Sequence, residues 1–265
     1  MTVDMENWHG VSCAPVVPWL LDQFDRHGAR ATFFCVGARA RQLAPVIRQV
    51  SERGHEIASH CFNHSALETF TPDAFACEVR ESLDVLTDIT GLPVHGFRMP
   101  FFSLTRKHAW AWQVLAELGL AYDSSVLPAR AVHYGDPGFP RYPVRIDLDG
   151  SSIVEVPLST VRLARRAWPT SGGGYFRLLP YAAIRRAVEA AARDGVPFVA
   201  YCHPYEFDVH RLCYVPDQAS SAFRARMDEI RSNARRGTMR GKLARLVGDF
   251  RFTSIHDCLE NEIDA

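Results

Sequence analysis

Short apolar runs alternate along this chain with longer stretches whose apolar residues recur three and four apart. Ala31-Thr32-Phe33-Phe34-Cys35-Val36 is a compact run that stops at Gly37, the pattern of a strand buried on both faces of a parallel sheet. Helical spacing flanks it on both sides. Residues 14–27 carry Val16, Val17, Leu20, Leu21 and Phe24 on one face before Gly28, and residues 38–53 carry Leu43, Val46, Ile47 and Val50 before Gly54. Residues 55–59 read as the next strand. Thr71-Pro72-Asp73 then opens a helix with a cap residue and a proline at its first position, and Phe75, Val79, Leu83, Leu86 and Ile89 mark its face before Gly91. A strand over 94–98, a helix over 105–118 and a short run to Tyr122 repeat the alternation. Residues 153–156, 196–202 and 250–255 read as further strands, and about 180–193 as a helix. Strands and helices joined by short links predict parallel βα units and an α/β barrel.

Two stretches break the rhythm. Residues 129–145 lose periodicity in favour of Pro, Gly and Tyr, which predicts an irregular excursion over the barrel mouth. Residues 222–246 are rich in arginine and read as a solvated pair of outer helices. The first strand is short as well. Only three residues precede Asp4, fewer than a strand usually has, so a late start or a trimmed beginning is expected.

Polar residues gather where this pattern places the carboxyl ends of strands: Asp4, His60, Arg98, Asp123 and His203. In an α/β barrel that end carries the active site. His60 and His64 stand four apart, a spacing that on a helical turn lets two imidazoles reach one metal ion. By themselves they are equally two unrelated loop histidines. Glu6 supplies a third ligand for a two-histidine, one-carboxylate site with room for water, and Asn7 is the other oxygen donor nearby. Such a set takes one divalent ion and suits Zn²⁺, Co²⁺, Ni²⁺, Mn²⁺ or Fe²⁺ without choosing among them. Arg98, held extended before Met99-Pro100, needs a carboxylate partner if buried, and Asp4 is the candidate. Asp123 opens Asp123-Ser124-Ser125 and serves equally as a turn cap. His203, ahead of Pro204-Tyr205-Glu206, is placed to give a proton to a leaving group. The glycine run 172–174 fits no phosphate-binding pattern, and reads as flexible backbone near the mouth.

Bulk properties remove other functions. Thirty basic residues balance thirty acidic ones, which gives no electrostatic case for nucleic acid. Seven cysteines without zinc-type spacing point to a reducing compartment. With no signal peptide and no apolar run long enough to span a bilayer, the expected location is the cytoplasm, possible association with the inner membrane surface included. Oligomeric state is not legible.

The order of the motifs resembles the polysaccharide deacetylases, the NodB-homology superfamily of carbohydrate esterases, and in particular the branch of bacterial exopolysaccharide clusters. The residues that carry the resemblance are Val3-Asp4-Met5-Glu6-Asn7-Trp8, Ala31-Thr32-Phe33-Phe34, Ala58-Ser59-His60, Gly96-Phe97-Arg98-Met99-Pro100-Phe101-Phe102-Ser103, Tyr122-Asp123-Ser124-Ser125, Gly172-Gly173-Gly174-Tyr175-Phe176-Arg177-Leu178-Leu179-Pro180 and His203-Pro204-Tyr205-Glu206. It implies one catalytic domain over 1–265, a distorted (β/α)7 barrel with an insertion near 129–150 and a helical segment near 217–247. It implies hydrolysis of the N-acetyl amide of an amino sugar, in a polysaccharide or a lipid-linked glycan, with release of acetate. Asp4 becomes the catalytic base, held by Arg98, and Glu6, His60 and His64 the metal ligands. The backbone N–H of Phe101 would help bind the oxyanion, Asp123 would tune His203 as the acid, and Phe101, Phe102 and Tyr175 would touch substrate. Many members carry an aspartate where Glu6 stands. The alternatives are hydrolysis of another C–N bond, in a formamide or cyclic ureide, and an inactive glycan-binding module.

Overall fold

The computed structural model describes residues 1–7, 11–130, 135–163, 166–213 and 222–263. In chain order the regular elements are β1 (Thr2–Met5), α1 (Val17–Arg26), β2 (Thr32–Cys35), α2 (Gly37–Ala40), α3 (Ala44–Glu52), β3 (Glu56–Ser59), α4 (Pro72–Thr90), β4 (Gly96–Phe97), α5 (Ala109–Glu117) and β5 (Tyr122–Asp123). There follow β6 (Val144–Asp147), β7 (Ser152–Glu155), β8 (Thr160–Leu163), β9 (Arg166–Pro169), α6 (Gly173–Leu178), α7 (Tyr181–Arg193), β10 (Tyr201–Cys202), α8 (Ala222–Asn233), α9 (Met239–Asp249) and α10 (Ile255–Ile263).

One sheet organises them, in the order β10-β1-β2-β3-β4-β5-β7-β6. Every pair is parallel except β6 with β7. The seven parallel strands curl towards closure: the Val199 N–H donates to Ser159 Oγ at 2.8 Å and the Ser159 N–H to the Val199 carbonyl at 3.5 Å. This is the expected α/β fold, a curled half-barrel of the (β/α)7 type. Strand β1 is buried at every position and pairs on both sides, so its four residues suffice for a central stave. Phe33, Leu20, Leu21, Phe24 and Ile47, all fully buried, pack β2 against α1 and α3. Thr71 caps α4 by accepting from the Ala74 N–H at 3.3 Å, and Gly91 ends that helix in the left-handed conformation that glycine adopts at least cost.

Several expectations change. The helix over 38–53 is two, because Pro45 in the first turn of α3 has no N–H to continue α2 and its ring crowds the preceding turn. Only residues 201–202 of the 196–202 run pair as a strand. Residues 250–254 form no strand: Ser254 Oγ accepts from the Asp257 N–H at 3.1 Å and starts α10 instead. The irregular stretch is shorter than predicted, since 144–147 form β6, while residues 131–134 lie outside the described residues. The β8–β9 hairpin went unpredicted. The arginine-rich segment is only partly a solvated face: Arg236 and Lys242 are buried, and Arg236 binds the carbonyls of Tyr205 and Asp208 at 3.0 and 2.9 Å. Residues 217–221 of the helical segment lie outside the described residues. Among those described, no helix is long and apolar enough to cross a membrane.

The glycine run is close-packed. Gly172 forms a parallel bridge with Tyr201, and a Cβ there would lie 2.1 Å from the Tyr201 ring and 2.3 Å from its carbonyl oxygen. Gly172→Ala is therefore expected to destabilise the fold by about 1–3 kcal/mol through overpacking, read as a fall in Tm of roughly 2–12 °C; an unchanged Tm would show that the backbone there has room.

Candidate active site

Arg98 is fully buried at the end of β4, where a lone guanidinium would be very costly. It is satisfied on all sides. Nη1 donates to Asp4 Oδ1 at 2.6 Å and Thr2 Oγ1 at 2.8 Å, while Nε and Nη2 donate to the Ser124 carbonyl and Oγ, each at 2.9 Å. The Phe34 ring covers it, 4.0 Å from the guanidinium carbon. The expected Asp4–Arg98 pair is thus formed in the barrel interior.

The same residue fixes a second group through its backbone. His60 Nδ1 lies 2.8 Å from the Arg98 carbonyl; a carbonyl only accepts, so Nδ1 carries the proton and the Nε2 lone pair stays available. Burial lowers the His60 pKa to about 4, so the ring is neutral. His64 meets it at 5.1 Å between ring centroids. The pair does not converge on a helical turn, as the spacing suggested. Residues 60–66 form a loop in which Cys61 (φ 63) and His64 (φ 55) are left-handed. The loop is tied down by the Gly37 and Ala38 N–H groups on the carbonyls of Cys61 and Phe62, and by Asn63 on Glu78 at 2.6 Å.

Glu6 completes the cluster. Its Oε2 contacts His64 Nε2, and one donor atom each from Glu6, His60 and His64 lie within 4.8 Å of one another. Burial would raise the Glu6 carboxyl, but the hydrogen bond from His64 and the charge of His203 outweigh it and hold the group at about 2. Asn7 is turned away, its Oδ1 accepting from the Cys13 N–H at 3.0 Å. A cleft of about 510 Å³ opens on Glu6 and His64. An apolar cavity of about 280 Å³ at the opposite, amino-terminal end of the strands contains none of the predicted residues.

His203 stands at the end of β10, with Nε2 3.2 Å from Glu6 Oε1. Burial alone would lower its pKa; the hydrogen bond to Glu206 and the charge of Glu6 carry it up to about 9. A cation held by Glu6 would take away that second contribution. Asp123 is not the carboxylate on His203. It is fully buried, accepts from Trp112 Nε1 at 2.9 Å and from Ser125 Oγ, and is linked to Glu155. Ser125 Oγ in turn accepts from the Met99 N–H at 2.7 Å, so Asp123 supports the backbone beside Arg98. The carboxylate on the Nδ1 side of His203 belongs to Glu206, with Oε2 3.4 Å from Nδ1 and 3.0 Å from the backbone nitrogen. The sequence signal was present: Glu206 lies three residues after His203, the spacing of a capping box.

On the rim, Phe101 is half-exposed and its ring lies 4.8 Å from that of His64. Phe102 turns inward against Tyr201 at 5.0 Å, and Tyr175 is exposed on α6. Of the five described non-glycine residues with positive φ, Cys61, His64, Phe101 and Phe102 surround this cluster. Strain of this kind, about 1–3 kcal/mol per residue, concentrates at functional sites.

The family described as polysaccharide deacetylase matches residues 2–122, and a domain of unknown function (DUF3473) matches residues 124–260. The first half of the chain is thus similar to the polysaccharide deacetylases, and the longer match places the chain in the DUF3473 family. Strands of one sheet come from both matched halves. Among curated relatives, chitin deacetylase 1 of Cryptococcus neoformans is 30% identical over 33% of this chain and 19% of its own length. The chitooligosaccharide deacetylase of Azorhizobium caulinodans is 30% identical over 38% of this chain and 45% of its own. The chain thus matches less than half the length of these relatives. Among solved structures, a polysaccharide deacetylase-like protein from Mycobacterium smegmatis shares the fold with a TM-score of 0.63, at 19% identity, over 98% of this chain and 88% of its own. A family pseudoenzyme from Bacillus anthracis gives 0.51 at 12% identity, over 97% and 63%.

Two predictions test the buried charges. Arg98→Met leaves Asp4 buried without its partner and is expected to cost about 3–5 kcal/mol in denaturant unfolding; a loss below about 1 kcal/mol would mean that Asp4 is solvated. Burial and the adjoining Asp123 push the Glu155 carboxyl well above its ordinary value. A raised folded-state pKa stabilises fully below the unfolded value, near 4.3, and that stability is lost as pH rises towards the folded value. Glu155→Gln removes the loss, so its Tm relative to the parent should climb as pH rises above the unfolded-state value of about 4.3. A difference independent of pH would refute the raised Glu155 pKa.

Proposed function

We propose that this chain is a metal-dependent N-deacetylase that hydrolyses the N-acetyl amide of an amino sugar, in a polysaccharide or lipid-linked glycan, and releases acetate. One observation carries the reading: the Glu6, His60 and His64 donors meet the Asp4–Arg98 pair and His203 at a single barrel mouth. The donor set fits a divalent ion. His60 is neutral with Nε2 available, Glu6 is ionised, and two imidazoles with one carboxylate leave positions open. Zn²⁺ is the first candidate, with Co²⁺, Ni²⁺, Mn²⁺ and Fe²⁺ as substitutes. An ion there supplies Lewis acidity, lowering the pKa of water towards about 7.

The chain's own residues supply the rest. Asp4, fixed by Arg98, accepts a proton from the attacking water. The Phe101 backbone N–H, set by its left-handed φ beside His64, donates to the oxygen on which charge develops, a contact worth about 3–4 kcal/mol. His203 gives its proton to the departing nitrogen, without which the C–N bond does not break. One water is consumed, and acetate and a free amine leave. Phe101, Phe102 and Tyr175 are the aromatic surfaces on which sugar rings rest. The names of the curated relatives, which specify chitin and chitooligosaccharide, support the substrate class; a cytoplasmic role in exopolysaccharide assembly belongs to the same reading.

Acetate release from chitotetraose is the test. Purified protein supplied with Zn²⁺ or Co²⁺ should release acetate, EDTA should abolish the activity, and His60→Ala should lower it by 100-fold or more. Zn²⁺ uptake and glycan binding without acetate from any N-acetylated glycan would favour the binding module. Release that survives both EDTA and His60→Ala would overturn the site.

A further inference from the structure

We propose that Glu206, braced by Arg177, is the positioning residue that fixes the His203 imidazole with Nε2 towards the cleft. This rests on the deacetylase reading and adds to it a residue pair from the half of the chain that matches the DUF3473 family.

Glu206 sits in the short 3-10 turn Pro204–Phe207 that follows His203. It is fully buried, so water does not compete for its oxygens. One oxygen serves His203 twice: Oε2 accepts from the backbone N–H at 3.0 Å and faces Nδ1 at 3.4 Å. The other, Oε1, accepts from Arg177 Nη1 at 2.8 Å. Arg177 is itself 8% exposed. Its Nη2 donates to the Arg231 carbonyl at 3.1 Å, and its own carbonyl accepts from Lys242 Nζ at 2.7 Å. The carboxylate is therefore held from behind by groups that cannot drift. A carboxylate on Nδ1–H selects the tautomer whose Nε2 faces the reaction. Ring rotation is limited as well: Tyr205 stacks on the imidazole at 5.0 Å and 20°, and Tyr201 meets it edge-on at 5.8 Å.

The placement of Arg177 explains the glycine run. Helix α6 begins at Gly173, and a Cβ at Gly172 or Gly173 would lie 2.1 or 2.6 Å from Tyr201, two residues before His203. Only glycine lets α6 approach β10 so closely, and that approach delivers Arg177 to Glu206. The chemistry at His203 and the packing of α6 are one device, acting on one histidine.

The test separates a proton donor's orientation from general stability by leaving group. An amine must be protonated to depart, whereas 4-nitrophenolate leaves without help. Zn²⁺-loaded full-length protein, Glu206→Gln and Arg177→Met are compared on chitotetraose and 4-nitrophenyl acetate. The amide-to-ester rate ratio should fall at least tenfold in Glu206→Gln, through kcat and with KM within twofold. Arg177→Met should move it in the same direction, and the double variant should fall no further than Glu206→Gln. Amide and ester rates falling together, or neither changing, overturns the proposal. Long-range ¹H–¹⁵N spectra of the His203 ring, recorded at a pH where it has lost its Nε2 proton, give a readout that does not need turnover: a single Nδ1–H tautomer in the parent, mixed in Glu206→Gln. An unchanged tautomer also overturns it. If the parent releases no acetate, the deacetylase reading fails while the tautomer still decides the role of Glu206. Should Glu206→Gln not fold, Arg177→Met supplies both readings.

Discussion

The burial of Arg98 is the constraint around which the barrel interior is arranged. A guanidinium without access to water must find acceptors for its N–H groups or unfold the region around it. Here it takes Asp4 and Thr2 from β1, and Ser124 from the segment after β5. Three separate strand ends are thereby drawn to one point. The backbone carbonyl of the same residue orients His60. A base and a metal-ligand candidate are therefore set by one amino acid, through its side chain and its main chain respectively. No distant coupling is needed for the two to stay in register.

Much of this was legible in the residues because strand ends are legible. A compact apolar run that stops at a polar residue places that residue at the mouth of a parallel barrel, and Asp4, His60, Arg98 and His203 all follow that rule. The failures have physical causes of their own. His60 and His64 converge through a loop with left-handed residues, and a spacing of four does not distinguish that from a helical turn. Pattern also said nothing about β8 and β9, whose four-residue strands lie outside the main sheet, where alternation is weak. Residues 250–254 look like a strand by composition, yet the cap at Ser254 decides for helix. Local hydrogen bonds from short polar side chains outweigh a brief apolar run.

Asp123 and Glu206 show where analogy and geometry separate. Both are fully buried carboxylates near the same mouth, and resemblance singles out Asp123 as the partner of His203. Its oxygens are taken by Trp112, Ser125 and Glu155, and through Ser125 it steadies Met99, next to Arg98. In the sequence Glu206 is only the last residue of the motif His203-Pro204-Tyr205-Glu206. Its position three residues after a capping residue was the clue, and only packing shows that Arg177 stands behind it.

The two carboxylates on His203 differ in a way that divides their work. Glu6 is 20% exposed in its side chain and touches both His64 and His203, so its charge is shared and open to whatever enters the cleft. Glu206 has no exposure and a permanent arginine partner. Inside a low-dielectric interior an ion pair of that kind is costly to assemble and equally costly to break, so it keeps its geometry as charges in the cleft change. A proton donor needs one contact that varies through the reaction and one that does not. At this mouth the accessible side of the imidazole meets the first and the buried side meets the second.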